Sequence, residues 1–295
     1  MTTVSQCPAC GETNQSPFLT CIDYTVSHET FAIVKCAKCQ FAFTNPFPDP
    51  SKLGNYYLSS DYISHSSRPT SLMDRIYVLA RTQTLKWKTA LVKKYSSNNS
   101  TTLFDYGCGT GDFLKACMAN GWNITGVEPS NIARQIASEK TSQYIYSTLD
   151  EMSSGTFDTI TLWHVLEHIP DLNSLLSTLS NKLKQTGTIF IAVPNRSSWD
   201  ANYYKETWAA YDVPRHLWHF RQQDIQTIMN AHSLTVVTTL PMKLDAYYVS
   251  LLSEKYQGKT LNPLSMMRSM INGLRSNISA RTTTEYSSLI YVIKK

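Results

Sequence analysis

The sequence contains few of the features that mark membrane, fibrous or disordered proteins. Its 295 residues include no stretch that approaches the roughly 18 consecutive apolar residues needed to span a bilayer. Gly and Pro, at 11 and 12 residues, are too few for a collagen-like or low-complexity chain, and an apolar share of 42% excludes global disorder. The first ten residues lack the basic and apolar regions of a secretion signal. We therefore expect a globular, cytoplasmic protein without a membrane span.

Dense charge of one sign is also missing. The net charge is +5, and Lys and Arg are scattered rather than grouped in runs of five or more. A nucleic-acid-binding protein of this size usually has a dense basic stripe, so nucleic acid is not indicated as a partner. The sequence indicates nothing about the oligomeric state.

Cysteine, in contrast, is present in a pattern. Four of the seven cysteines form two Cys-x-x-Cys pairs, Cys7/Cys10 and Cys36/Cys39. In a cytosolic chain such pairs indicate a metal site more than a disulfide framework. Two pairs of thiolates complete a tetrahedron around one ion and leave no open position, which predicts a structural Zn²⁺. A redox dithiol and free thiols are the alternatives.

The first hundred residues divide into two predicted regions. Residues 1–45 form the zinc-binding module, with β-prone segments at Tyr24–His28 and Phe31–Val34. Residues 46–100 form a linker and a helical lid, because closely spaced prolines favour extended chain and an apolar stripe then predicts a helix from Ser71 to about Tyr95. Four side chains ahead of this helix are candidates to cover a cofactor, namely Tyr56, Tyr57, Tyr62 and His65; the alternative is that they pack on the zinc module.

Residues 101–295 alternate between short β-runs and helical segments, which predicts right-handed crossovers and a doubly wound, largely parallel α/β sheet. The predicted strands are Leu103–Tyr106, Ile124–Val127, Gln143–Tyr146, Phe157–Trp163, Gly187–Val193, Leu234–Leu240 and Ser288–Ile293. The predicted helices are Asp112–Asn120, Asn131–Glu139, Leu172–Lys184 and Asp224–Ala231. Substrate insertions are expected at about 195–220 and 241–286, the second with two helices.

A glycine-rich turn connects the first strand of this core to a helix. It reads Asp105-Tyr-Gly107-Cys-Gly109-Thr-Gly111, and Glu128 ends the next strand. Glycine turns at this corner of an α/β sheet hold ligands, and an acid after the second strand can accept hydrogen bonds from both ribose hydroxyls. The pattern predicts a nucleoside site.

The charges favour one kind of nucleoside. Asp105 stands at the mouth of the loop and Asp112 in the first helical turn, which disfavours a pyrophosphate such as that of a nicotinamide dinucleotide. The third glycine also comes one residue earlier than in G-x-G-x-x-G. S-adenosylmethionine (SAM) combines a ribose with a sulfonium and an ammonium, so it suits these acids.

These motifs, together with Phe157–Asp171, resemble class I SAM-dependent methyltransferases of the ubiquinone-type branch over about residues 100–240. The cysteine module in front of such a core is similar to that of bacterial sugar C-methyltransferases, although their further C-terminal domain is not expected here and their substrate is not implied. The resemblance implies a Rossmann-like, doubly wound, mostly parallel seven-stranded sheet whose last strand is antiparallel.

The resemblance also implies which residues contact SAM. Asp105 would hold the amino group, Glu128 the ribose, and Leu149 with Asp150 the adenine. Trp163 and His164 would lie beside the sulfonium. The full implied set is Asp105, Gly107, Cys108, Gly109, Gly111, Glu128, Pro129, Leu149, Asp150, Trp163 and His164.

A hydroxyl acceptor needs a base, and histidine suits that task near neutral pH. His164 ends the fourth strand of the core, whereas His168 is expected to pack locally. His216 and His219, in the aromatic segment after the fifth strand, are the other candidate bases, and Arg215 could hold an anionic acceptor. The two histidines would share a face only if the segment made a helical turn. The alternative is a packing loop with solvated charges.

Together these features predict a SAM-dependent methyltransferase with a structural Zn²⁺, acting on an unidentified small-molecule or sugar-linked acceptor. The alternatives are a nicotinamide-dependent oxidoreductase and a non-catalytic zinc-ribbon protein that binds RNA or protein.

Overall fold

The computed structural model describes residues 1–57, 72–97, 99–152, 155–258 and 262–295. In these ranges the strands are β1 (Gln15–Ile22), β2 (Thr30–Cys36), β3 (Ala42–Thr44), β4 (Thr102–Tyr106), β5 (Asn123–Val127), β6 (Ile145–Tyr146), β7 (Phe157–Trp163), β8 (Leu183–Pro194), β9 (Trp218–His219), β10 (Thr235–Pro241) and β11 (Ser288–Lys294). The α-helices are α1 (Leu72–Tyr95), α2 (Asp112–Met118), α3 (Asn131–Thr141), α4 (Leu172–Lys182), α5 (Trp199–Tyr204), α6 (Gln222–Ala231), α7 (Asp245–Tyr256) and α8 (Pro263–Thr283). Short 3₁₀ segments are Pro50–Tyr57, Leu166–His168, Lys205–Thr207 and Ala209–Tyr211.

Seven strands form one large sheet in the order β10-β11-β8-β7-β4-β5-β6. The β4, β5, β6, β7 and β8 neighbours pair in parallel, and β11 pairs antiparallel with both β8 and β10. The prediction of a mostly parallel seven-stranded sheet with an antiparallel last strand is confirmed. The carboxyl ends of β4, β5 and β7 therefore meet at one edge, where open α/β sheets bind ligands.

The central strands are covered on both faces. Ile189–Val193 in β8 and Leu289–Ile293 in β11 are continuous buried runs, as expected for strands between two helical layers. Helix α4 was predicted to reach Lys184, but it ends at Lys182. The physical reason is that Leu183 already pairs with Phe157 of β7 and so begins β8. None of the helices in the described ranges is long and apolar enough to cross a membrane.

A second, antiparallel sheet has the order β1-β2-β3-β9. The β-prone segment Tyr24–His28 is a turn rather than a strand, so that prediction was wrong. The buried carboxylate of Asp23 accepts hydrogen bonds from the backbone N–H groups of Thr25, Val26 and Ser27, at 3.0, 3.2 and 2.8 Å. These local bonds override the β-propensity of the segment.

The outer strand of this small sheet, β9, comes from the predicted insertion at about 195–220. Ala42 of β3 pairs with His219, and Phe43 with Trp218. Phe41 stacks on Phe220 with ring centroids 5.5 Å apart. The division into 1–45, 46–100 and 101–295 stays a prediction, but the sheet of the first region contains a strand of the third. Ser71, Tyr62 and His65 lie outside the described residues.

Candidate functional site

The glycine-rich corner follows β4. Gly107, Gly109 and Gly111 have φ angles of 74°, 54° and 73°, a left-handed region that favours glycine. A Cβ on Gly107 would lie 2.6 Å from Cγ2 of Val165, and one on Gly111 would lie 2.9 Å from Cα of Ala137, whereas one on Gly109 would meet nothing within 4 Å. Gly107 and Gly111 are thus required for packing, and Gly109 faces open space where a ligand can approach.

Glu128, at the end of β5, organises this corner. Its Oε2 accepts a hydrogen bond from the N–H of Gly109 at 2.8 Å, and its Oε1 accepts one from the N–H of Ser130 at 2.9 Å. Burial raises the pKa of this carboxyl above its usual value. Each oxygen keeps a second lone pair for a ribose hydroxyl. The predicted ribose contact therefore fits this geometry but stays a prediction.

Asp105 lies beside this corner and is 2% exposed. The hydroxyl of Thr161 donates to its Oδ1 at 2.6 Å, and burial raises the pKa of Asp105 to about 7. A cation already lies close by, because the ammonium of Lys88 on α1 sits 4.3 Å from the ring centre of Trp163 and its charge lowers the pKa of Asp105. Sequence analysis missed Lys88, which no local motif marks.

The remaining predicted cofactor residues occupy varied positions. The Cys108 side chain packs in the core, so only its backbone can reach a ligand. Pro129 and Asp150 are exposed and Leu149 is half-buried, after β5 and β6 respectively. Asp112, expected to face the cofactor, forms instead an ion pair with Lys140 of α3 at 2.7 Å. This pairing corrects the charge argument, which now depends on Asp105 alone.

His164 directly follows β7 and lies between two carboxylates. Its Nδ1 is 3.4 Å from Oε1 of Glu167, and its Nε2 is 3.2 Å from Oδ2 of Asp245 at the start of α7. Burial alone would lower the pKa of this imidazole, but Asp245 and Glu167 outweigh it and raise the pKa to about 9. His164 is therefore protonated near neutral pH and is poorly suited to accept a proton.

Three further groups meet beside His164. One oxygen of Glu167 and one ring nitrogen from each of His168 and His216 lie within 4.8 Å of one another, a spacing at which they could also surround a cation. Glu167 is fully buried, and in the described ranges its carboxylate is held by the ion pair with His164 rather than by a well-formed hydrogen bond. Burial would raise the pKa of Glu167, but the neighbouring histidines hold that pKa below its usual value, so the group is ionised.

The tautomers of these two histidines follow from their partners. Nδ1 of His168 is 3.0 Å from the carbonyl of Arg215, and Nδ1 of His216 is 2.8 Å from the carbonyl of Ala210. Carbonyls only accept, so Nδ1 holds the proton in both rings and Nε2 keeps a lone pair. Burial and the nearby His216 lower the pKa of His168 to about 4. Tyr57, whose hydroxyl lies 2.9 Å from Nδ1 of His168, is the predicted lid residue that reaches this cluster.

Arg215 does not face the cleft as a free cation. Its guanidinium donates to both carboxylate oxygens of Asp212, at 2.9 and 2.6 Å, and to Oδ1 of Asp23 at 3.0 Å. A further N–H donates to the carbonyl of Tyr56 at 2.9 Å. Because it binds Asp23, Tyr56 and Asp212, the Arg215 side chain connects the end of β1, the 3₁₀ segment Pro50–Tyr57 and the loop before β9. The arrangement provides no place for the anionic acceptor expected at Arg215.

His219 lies in β9, whereas His216 lies in the loop before that strand. The segment turns at residues 213–215 and is then extended, so it makes no helical turn that would converge the two rings. The ring of His219 is buried, with Nε2 3.0 Å from the hydroxyl of Thr44, and burial lowers its pKa well below the usual value. The structure thus brings together His164 and His216 and leaves His219 in the small sheet. Sequence analysis missed Glu167, His168 and Asp245 as members of this cluster, although the spacing of His164, Glu167 and His168 was a usable signal.

The four predicted metal ligands converge. Sγ of Cys7 is 3.5 Å from that of Cys39, and Sγ of Cys10 is 3.5 Å from that of Cys36. These distances exclude disulfides, whose sulfurs are about 2.05 Å apart, and are near the roughly 3.8 Å expected between thiolates that bind one zinc at about 2.3 Å. Gly11 and Gln40 follow the two pairs with φ angles of 75° and 64° and close the two turns. The donor set therefore fits zinc.

Residues 59–239 match a family model described as a methyltransferase domain. The chain is 31% identical over 105 residues to a ubiquinone biosynthesis O-methyltransferase of Erwinia tasmaniensis, covering 32% of this chain and 43% of the relative. It is 35% identical over 104 residues to the Colwellia psychrerythraea protein of the same name, covering 32% and 42%. The chain thus spans less than half the length of these curated relatives.

Among solved structures, the fold is similar to the magnesium protoporphyrin IX methyltransferase of Synechocystis with bound S-adenosylhomocysteine (SAH). The TM-score is 0.55 at 13% identity, covering 84% of this chain and 100% of that one. This likeness shows the fold alone, whereas the family model covers more than half of the chain. The chain therefore belongs to the methyltransferase-domain family, and its fold is that of SAM-dependent methyltransferases.

Proposed function

We propose that this protein transfers the methyl group of SAM to a hydroxyl group of a small-molecule acceptor. The observation that supports it most is the meeting, at one sheet edge, of the glycine corner, Asp105, Glu128 and a histidine cluster. Family membership and the O-methyltransferase names of the relatives agree with it. A sugar-linked acceptor is the narrower form of the proposal.

The cofactor side of the cleft fits a cationic ligand. SAM supplies an electrophilic methyl group on its sulfonium, and the protein aligns the acceptor behind it and excludes water. Asp105 would take the ammonium of the cofactor and Glu128 its ribose diol.

On the acceptor side, we infer that His216 is the base. Two carboxylates keep His164 in its protonated form, and His219 lies in the small sheet against Thr44. Nε2 of His216 retains a lone pair and would take the hydroxyl proton. The ionised Glu167 would then stabilise the imidazolium, as a carboxylate next to a cationic base does.

The cofactor proposal is tested by calorimetry with SAH and with NADH. We expect SAH to bind and NADH not to bind; the reverse result would support the oxidoreductase alternative. Salt-dependent RNA binding without SAH affinity would support the non-catalytic one.

The base is tested with radiolabelled SAM and a panel of catechols and sugar nucleotides. With the best acceptor, His216→Gln should lower turnover by about 100-fold or more, the usual scale for a general base, while SAH affinity is kept. His232→Gln, at a partly exposed ring outside the histidine cluster, is the matched control. Full turnover in His216→Gln would contradict the assignment, and a loss confined to His164→Gln would move the base to the end of β7.

We also propose that Cys7, Cys10, Cys36 and Cys39 bind one structural Zn²⁺. The module is joined to the core, because Arg221 donates to the carbonyl of Cys39 at 2.7 Å and Arg196 donates to that of Gln40. Elemental analysis should find about one zinc per chain, and Cys36→Ser should lower the melting temperature of the whole protein, since a closed thiolate site contributes folding energy. A folded protein with no zinc and free thiols would contradict the proposal; Cys21→Ser is the control.

A further inference from the structure

Helix α8 has its faces reversed relative to an ordinary surface helix, which buries its apolar side. The side chains that face the protein are small or polar and buried: Ser265, Ser269, Asn272, Gly273, Ser276 and Ala280. The side chains that face outward are large, apolar and between 39% and 57% exposed: Leu264, Met266, Met267, Met270, Ile271, Leu274 and Ile278. An exposed apolar surface of this extent marks an interaction site.

Specific contacts fix the helix in this orientation. The hydroxyl of Ser276 donates to the buried Asp200 at 2.6 Å, and the side-chain amide of Asn272 donates to the hydroxyl of Tyr204 at 2.9 Å. At Gly273 a Cβ would lie only 2.6 Å from the ring of Tyr247 on α7, so the two helices need glycine there to pack. Rotating α8 to bury its apolar side would break all of these contacts.

The charges around the stripe are mostly basic. Residues 254–285 contain five Lys or Arg against Glu254 and Glu285, and Arg268 pairs with the buried Glu254 at 3.4 Å. Arg268, Arg275 and Arg281 lie on α8 itself. An apolar stripe flanked by basic side chains is typical of helices that lie in the interface of an anionic membrane. A second copy of the chain would bring the same basic side chains together in a two-fold contact, which disfavours that occupant.

We propose that α8, together with the exposed Leu244 and Tyr248 of the α7 region, forms a surface that docks onto an anionic lipid bilayer, with α8 parallel to the membrane. Leu244 and Tyr248 are 57% and 58% exposed and extend the apolar stripe. Leu244 adjoins Asp245, which contacts His164, so the docked membrane would lie beside the cleft. The inference does not depend on the proposed function, because vesicle binding requires neither cofactor nor acceptor.

Sedimentation of the full chain with vesicles of phosphatidylcholine, with and without phosphatidylglycerol, tests the surface. We expect binding at least about tenfold tighter when phosphatidylglycerol is present, because each basic side chain near an anionic surface adds attraction. Met270→Glu/Leu274→Glu should weaken binding at least about tenfold by charging the apolar stripe. Arg275→Gln/Arg281→Gln should remove most of the preference for anionic vesicles. Ile132→Glu, at a 65% exposed position on α3 near the β6 edge, is the matched control and should bind like the unmodified protein.

The absence of vesicle binding would overturn the proposal, and so would unchanged binding by Met270→Glu/Leu274→Glu. A dimer that this variant dissociates, without vesicle binding, would assign the surface to a second copy instead. Melting temperature and SAH affinity, measured on each variant, separate loss of docking from loss of fold. If SAH fails to bind the unmodified protein while vesicles do bind, the proposed function fails and the docking surface stands.

Discussion

Glu128 and Glu167 are two buried carboxylates in the cleft, and their surroundings differ. Glu128 gives one oxygen to the N–H of Gly109 and the other to that of Ser130. Glu167 is even less exposed, and in the described ranges its carboxylate pairs with His164 at 3.4 Å and faces two further imidazoles instead of backbone N–H groups. A carboxylate whose two oxygens each accept a backbone N–H holds a loop, whereas one surrounded by histidines is placed for proton chemistry. The proposed cofactor and acceptor sides are therefore organised by different means.

The largest expected effect is a loss of turnover when Glu167 is substituted. Glu167→Gln removes the charge that would stabilise a protonated His216, so turnover with the best panel acceptor should fall about 100-fold or more. SAH affinity, measured by calorimetry, should stay unchanged. If Glu167→Gln keeps full turnover, the histidine cluster is structural and the comparison no longer separates two roles.

Substitution of Glu128 should have an intermediate effect, which appears in SAH affinity. Glu128→Ala removes the acceptor for two ribose hydroxyls and should weaken SAH binding at least about tenfold. It should also lower the melting temperature of the cofactor-free protein by roughly 2–4 °C, because Gly109 and Ser130 lose their acceptor. From the sequence alone we would expect little change in that temperature. Glu139→Ala, at an exposed position on α3, provides the control; equal SAH affinity in both variants would place the ribose elsewhere.

The smallest effect concerns pH. His164 has a pKa raised to about 9 by Asp245 and Glu167, above its unfolded value near 6.5. Its contribution to stability is therefore fully present below pH 6.5 and is lost as the pH rises through 9. Asp245→Asn should lower the pKa of His164 by about 1–3 units in an NMR titration of the imidazole signals. An unchanged titration would mean that Glu167 alone holds the proton.

The glycine-rich corner could be predicted as a structure because its information is local. The glycine turn, the β-α alternation and the acid after the second strand lie within about one βαβ unit, where sequence order fixes spatial neighbours. The environment of Arg215 could not, because its partner Asp23 is 192 residues away and the turn at Asp23 suppresses a predicted strand. His216 was found by residue type, but only its three-dimensional neighbours separate it from His219. Lys88 had no signal at all.

The pairing of β3 with β9 has a consequence for how the chain assembles. Thr44 donates to the carbonyl of His216, which is 172 residues later in the chain. At about 5–20 residues per second, a ribosome needs roughly 9–35 s to synthesise that interval. The four cysteines leave the ribosome early, but their sheet stays incomplete until the segment with His216 emerges. The edge of β3 therefore stays unpaired for most of the synthesis of the chain. Its pairing with β9 and the placement of His216 beside Glu167 then become one late event.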